Sequence, residues 1–340
     1  SWRWVFLINV PIGIIAFIGS YICLEKNIIN IKIKFAFLSF IFLALGASSM
    51  QLVLDRGQIL DWFSSDLIFN LSLSAVIFLF LYFLMYFTKS KTLYPKELFF
   101  DKNYIGGLIF VFLFGLLLVP PFILMPDFLS SIGGYPIDKI GIILTTSGIG
   151  GMTGTLIASR LLSYGFYKSL MIVGLIAYMI GQFYMTLWNS DVTMNMMMIN
   201  GIIRGLGIGL FYPALATATY LSLPSKFRDH GASLFQFIRN LGSAVAIAII
   251  VILMDRFYKT NMSELSYRVT DNYNQNEGLF KDYNIYPLNM NNTNFFINLI
   301  SQESHLISFI NIMFILTFLP LIFFPFFLLF KSKPKETYEK

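Results

Sequence analysis

The 340-residue chain is 56% hydrophobic and only 12% charged, with a mean hydropathy of +0.70 and a formal net charge of +6. Soluble domains carry about 25% charged residues, so this chain lacks the polar surface that a globular fold in water needs, and most of its solvent is lipid. One cysteine, Cys23, and two histidines, His230 and His305, exclude a disulfide framework and a thiol metal site; no metal or cofactor is expected. The positive charge does not signal nucleic acid, because Lys and Arg sit in short connections between apolar runs.

A helix crosses a bilayer with about 20 apolar residues. Nine stretches meet this, at roughly 5–24, 35–54, 66–87, 104–126, 137–159, 169–188, 194–221, 231–254 and 306–330. None shows the alternation of a barrel strand, so the fold class is an all-α polytopic membrane protein with nine transmembrane helices. The first stretch, "SWRWVFLINVPIG" onward, has no initiator Met, basic leader or small-residue cleavage site and is expected to span rather than to be a signal peptide.

Orientation follows from Lys and Arg in the short connections. One set of alternate connections carries 15: Lys26, Lys32, Lys34, Lys89, Lys91, Lys96, Lys102, Arg160, Lys168, Lys226, Arg228 and the tail residues Lys331, Lys333, Lys335 and Lys340. The other carries 3 in its short segments, Arg3, Arg56 and Lys139, and its long loop 255–305 adds Arg256, Lys259, Arg268 and Lys281. The C-terminal tail is therefore expected in the cytoplasm and Ser1 outside. Trp2, Trp4, Trp62 and Trp188 fall at outer span ends, where indoles favour the interface. The loop 255–305 is rich in Asn and Tyr; its "FFINLI" at 295–300 reads either as a short interfacial helix or as part of a disordered linker. Nine spans with the tail inside suggest the C-terminal piece of a longer protein.

Four motifs carry a resemblance: "SWRWVFLINVPIG" at the start, "LVLDRGQILDWFSSD" at 52–66, "RGLGIGLFYPALAT" at 204–217 and "GASLFQFIRNLGSAVAIAI" at 231–249. In this order and at these distances they resemble the 14-helix drug:proton antiporters of the major facilitator superfamily, the EmrB/QacA type. The resemblance implies a partial major facilitator fold: 1–34 as the sixth helix of the N-terminal bundle and its cytoplasmic connection, 35–103 as two linker helices, and 104–340 as the C-terminal six-helix bundle with its long periplasmic loop. The first five helices are missing. The resemblance further implies part of a proton-driven multidrug efflux transporter, not an enzyme, in the bacterial inner membrane. It would export lipophilic drug-like compounds by alternating access around a midplane site between two halves. Implied partners are the missing N-terminal half, a periplasmic adaptor of the EmrA kind and an outer-membrane channel of the TolC kind. A chain holding one half is not expected to transport alone. The alternative is a non-transporting remnant or a subunit of a split transporter.

Particular residues stand out against the apolar background. Arg204 and Arg239 lie deep in spans, where a charge costs at least about 2.5–3.5 kcal/mol. They read as cavity electrostatics or as arginines that snorkel or cap carbonyls. Asp127 reads as a coupling carboxylate or as an interfacial acid at the outer mouth. Asn240, Gln236, Phe211, Tyr212 and Phe114 are candidate cavity residues, their aromatic faces suiting lipophilic, cationic or planar compounds. Gly201, Gly205, Gly207 and Gly209 imitate a dinucleotide loop, but no strand precedes them; they read as close helix packing, with Gly150 and Gly154. Pro120, Pro121 and Pro213 are kink candidates. Asp55, Arg56 and Asp61 read as an outer-end cap with an Asp–Arg pair. The connection 158–170 keeps Arg160, Gly165 and Lys168 of a cytoplasmic gating motif but has no acid, with Ser163 nearby.

Overall fold

The computed structural model describes residues 3–23, 36–88, 92–275 and 290–327. Trp2, Lys26, Lys32, Lys34, Lys89, Lys91, Lys281 and the tail lysines lie outside the described residues. Every regular element among the described residues is helical. The chain divides into two compact units, 1–36 and 37–340.

The first unit holds a one-turn helix, Trp4–Leu7, and then α1, Asn9–Cys23. Pro11 has no N–H for the Leu7 carbonyl, and its ring crowds that carbonyl, which accounts for the break at Ile8. At about 1.5 Å per residue the 15 residues of α1 fall short of a hydrocarbon core of about 30 Å. The first expected span is thus this shorter apolar helix, with Phe17, Tyr21 and Ile22 exposed.

The second unit contains α2 (Phe37–Arg56), α3 (Asp66–Phe87), α4 (Lys102–Leu118), α5 (Pro120–Ser131), α6 (Ile137–Leu162), α7 (Tyr167–Thr186), α8 (Met194–Tyr220), α9 (Arg228–Gln275) and α10 (Met290–Phe318). With α4 and α5 as one crossing, eight helices among the described residues are long and apolar enough to span a membrane. Large apolar side chains such as Phe69, Phe80, Phe83, Ile149 and Met152 remain exposed on them, as lipid-facing surface requires.

The core forms where α8 packs between α6 and α7. A Cβ at Gly201, Gly205 or Gly209 would run into Thr146, Ser147 or Gly151 of α6, and one at Gly207 would meet Tyr178 and Gly174 of α7. Gly150 and Gly154 meet Ile202 and Leu206 from the other side. The glycine run is a close-approach surface on two faces, as its spacing predicts. On the far side, Gly115 of α4 and Gly242 of α9 allow the same proximity to Arg239 and Phe112.

The proline pair ends α4 at Leu118 and restarts the helix at Pro120. A proline at 121 cannot donate to the carbonyl of Leu117, four residues earlier. The Tyr178 hydroxyl of α7 takes that place, donating to the Leu117 carbonyl at 2.6 Å. The break is thus satisfied from a neighbouring helix, which is the condition for irregular backbone at membrane depth. Pro213, by contrast, sits inside an uninterrupted α8, with Thr217 Oγ1 donating to its carbonyl at 2.9 Å.

The largest departure from expectation is the loop 255–305. Helix α9 runs for 48 residues to Gln275, and α10 begins at Met290. Lys259 bridges Asp255 at 2.7 Å, and Arg268 bridges Glu264, each one turn apart. Asn261 Nδ2 donates to Ser308 Oγ at 3.0 Å, and the Tyr258 hydroxyl lies 3.1 Å from Ser301 Oγ. Packing between the two helices holds helical a stretch whose composition reads as loop. "FFINLI" is the start of α10 rather than a separate interfacial helix, so the last crossing covers Phe296–Ile322 instead of 306–330. The short connection after α6 turns on Gly165, at φ +83°, and Ser163 Oγ donates back to the Arg160 carbonyl at 2.7 Å.

The break gives a direct test. Tyr178→Phe leaves the buried Leu117 carbonyl bare and should cost about 1–3 kcal/mol, read as a lower thermal midpoint in detergent. Pro121→Ala restores a backbone N–H at that position, so the same Tyr178→Phe change should cost less than half as much in that background. Equal costs in both backgrounds would refute the assignment.

Candidate functional site

Six of the expected candidates, Phe114, Phe211, Tyr212, Gln236, Arg239 and Asn240, gather in one place. Phe114 of α4 stacks on both Phe211 and Tyr212 of α8, each with ring centroids 5.4 Å apart. Phe235 of α9 meets Tyr212 at 6.2 Å and Tyr220 at 5.3 Å. Phe114, Phe211 and Phe235 are buried and form a floor. Above it the Tyr212 hydroxyl donates to Gln236 Oε1 at 3.1 Å and accepts from Arg239 Nη1 at 3.4 Å. Arg239 Nη2 donates to Asn240 Oδ1 at 3.2 Å, and its guanidinium carbon lies 5.6 Å from the centre of the Tyr212 ring. Gln236 and Asn240 are exposed and Arg239 is half-buried, so the rim is open.

The positions follow from helical spacing. Gln236, Arg239 and Asn240 recur at three and four residues, on one face of α9. Gly115 lets that face approach α4 so closely that the Arg239 backbone abuts it. Beside the rim, Ser48, Met50 and Gln51 of α2 and Phe237, Asn240 and Leu241 of α9 line a cavity of about 420 Å³. That lies within the usual range for small-molecule sites, about 300–1,000 Å³. Among the described residues no carboxylate forms an ion pair with Arg239. The guanidinium rests on a tyrosine ring and keeps its positive charge, so the rim repels cations and attracts anions.

Arg204 is elsewhere. It is 1% exposed, inside the α7–α8 contact, where Gly181 makes room for its backbone. Its Nη1 lies 3.4 Å from Met185 Sδ, and its guanidinium carbon is 5.7 Å from the Phe122 ring. Asn200 Nδ2 donates to the Gly181 carbonyl at 2.6 Å. Arg204 Nε, Gln182 Oε1 and Asn200 Oδ1 are buried without a protein partner among the described residues. Arg204 is therefore an enclosed polar group, not a wall of the open site.

Asp127 is exposed, outside both clusters, and its carbonyl accepts from Ser130 and Ser131 at 3.1 and 2.5 Å. The outer-end cap contains a turn but no Asp–Arg pair. Gln51 Nε2 donates to both Asp55 oxygens at 3.1 and 3.2 Å, one helical turn away, while Arg56 ends α2. Asp61 takes the left-handed conformation at φ 53°, and the Trp62 ring closes over Gly57. Sequence reasoning missed Gln51, Gln182, Asn200, Asp255 and His305 as lining or buried polar groups. Gln51, Gln182 and Asn200 had a signal, since each is a polar residue within an apolar span. The other two lay in a stretch read as loop.

Three relatives bear on this geometry. The probable multidrug resistance protein EmrY of Escherichia coli is 26% identical over 275 residues, covering 78% of this chain and 52% of that protein. The multidrug export protein EmrB of Haemophilus influenzae is 27% identical over 255 residues, covering 73% and 49%. The chain is a homologue of the EmrB-type multidrug transporters. The fatty acid resistance protein FarB of Neisseria gonorrhoeae is 26% identical over 268 residues, covering 75% and 50%. The chain spans about half the length of these relatives. No family model matches it. The long apolar helices described above make this chain a multi-pass membrane protein.

The two arginines should respond differently to substitution. Arg204→Met matches volume and removes an unpaired buried charge, a change that is often neutral or stabilising, so the thermal midpoint should hold or rise. Phe114→Ala removes the floor of the open site and should cost about 3–5 kcal/mol. A collapse of Arg204→Met with an unchanged Phe114→Ala would invert the assignment.

Proposed function

We propose that the chain is part of a proton-driven exporter of lipophilic compounds that works by alternating access. What carries this reading is the Arg239–Tyr212–Gln236 rim over a buried aromatic floor, beside a cavity of drug-like size, in a homologue of multidrug transporters. The unpaired guanidinium selects for an acidic group on the substrate, and the name of the Neisseria relative, a fatty acid resistance protein, agrees with that preference. Transport belongs to the assembly of this chain with the other half of such a transporter, since the site is one wall of a midplane cavity. The lysine and arginine distribution supports a cytoplasmic C-terminus in the bacterial inner membrane. On that orientation the paired ends of α9 and α10 project on the outer side. They offer a helical hairpin to an adaptor of the EmrA kind leading to a channel of the TolC kind.

Binding tests the substrate class. Purified chain in nanodiscs should bind a dansylated undecanoic acid, and Arg239→Gln should weaken that binding about tenfold or more, as loss of a charge-assisted hydrogen bond predicts. Ethidium binding should change little. Equal weakening of both probes would reject the acidic preference. In cells stripped of their own exporters, the 340 residues alone should not clear the fluorescent acid; protonophore-sensitive clearance would show that the second half is not required.

A further inference from the structure

A second cavity, of about 270 Å³, lies beneath the α4–α5 break, lined by Pro120 and Leu124 of α5, Ile250, Asp255 and Tyr258 of α9, and His305 of α10. It shares no residue with the Arg239 rim. Its walls are aliphatic apart from a carboxylate, a phenol and an imidazole. The Tyr258 ring stacks on His305 with centroids 4.3 Å apart, and the Tyr258 hydroxyl is anchored at Ser301 Oγ. The imidazole is thus fixed in place. Its Nδ1 is buried without a protein hydrogen-bond partner among the described residues. A buried ring nitrogen without a partner calls for an explanation.

The charged surroundings are simple. Helix α5 contributes none to the lining. Helix α9 contributes Asp255, whose Oδ2 accepts from Lys259 Nζ at 2.7 Å. Helix α10 contributes His305. Arg256 and Glu303, though adjacent in sequence, are exposed and do not line the cavity. Histidine is the side chain that changes charge within the physiological pH range.

We propose that Asp255 and His305 form a proton-binding site in which the His305 imidazole takes up a proton and the Asp255 carboxylate, on the wall of the same cavity, stabilises the resulting imidazolium. The proton comes from bulk water and no covalent bond other than N–H is made or broken. Lys259 competes with the imidazolium for the same carboxylate. Pro120, the first residue after the break, forms part of the wall, so the charge arises against the one interruption in the α4–α5 crossing. The site is read from this cavity alone and does not depend on the substrate proposed above.

The chain has two histidines, His230 and His305, so His230→Gln leaves a single imidazole to observe. Nitrogen-15 histidine NMR of that variant in nanodiscs should show one imidazole that changes protonation state with pH. Asp255→Asn should lower its midpoint by about half a pH unit or more, since an opposite charge nearby favours the protonated form. Lys259→Met should raise it, and Asp255→Glu should leave it close to the original. An imidazole that stays neutral throughout, or a midpoint unmoved by Asp255→Asn, overturns the proposal. Should Asp255→Asn fail to fold, a midpoint unmoved by Lys259→Met overturns it equally.

Discussion

The hydroxyl of Tyr178 on the carbonyl of Leu117 is the contact on which the second unit turns. In hydrocarbon a freed carbonyl has no water to take, so the proline pair at 120 and 121 is admissible only if another helix supplies a donor. Tyr178 can do so because α7 lies hard against α8, and α8 lies hard against α6, through glycines that leave no room for a Cβ. Close packing and the helix break are therefore one arrangement rather than two.

That arrangement also places the two polar sites. Phe114 is one turn before Leu117 on α4 and stacks on Phe211 and Tyr212, so the aromatic floor is braced by the same helix that the break ends. On the other side of the break, Pro120 walls the cavity that holds Asp255 and His305. A movement at Val119 would thus tilt the floor under Arg239 relative to the wall beside His305.

Much of this was legible in the sequence for a simple reason: lipid enforces long apolar runs, and runs of that length leave few alternatives. The glycines of α8 and the polar set Gln236, Arg239 and Asn240 were readable because helical spacing puts them on fixed faces. What composition hid was decided by partners distant in the chain. The stretch after Met254 looks like a loop because its Asn and Tyr are usually solvated, yet α10 supplies Ser301 and Ser308 to receive them. Asp55 sits next to Arg56 in sequence but one helical turn from Gln51, and the helix favours the latter. Arg204 and Arg239 look alike as buried charges, and only packing separates an enclosed arginine from one on an open rim.

The difference between those arginines also bears on selectivity. A charge sealed in a helix contact, as Arg204 is at 1% exposure, meets no ligand whatever its chemistry. Its cost is sunk in the fold. Arg239 holds its charge half-exposed, with one nitrogen on a tyrosine hydroxyl and another on an asparagine oxygen. These neutral acceptors orient the guanidinium without cancelling its charge. A carboxylate partner would have neutralised that charge. Among the described residues no ion pair forms at this rim, so Arg239 keeps its full charge there.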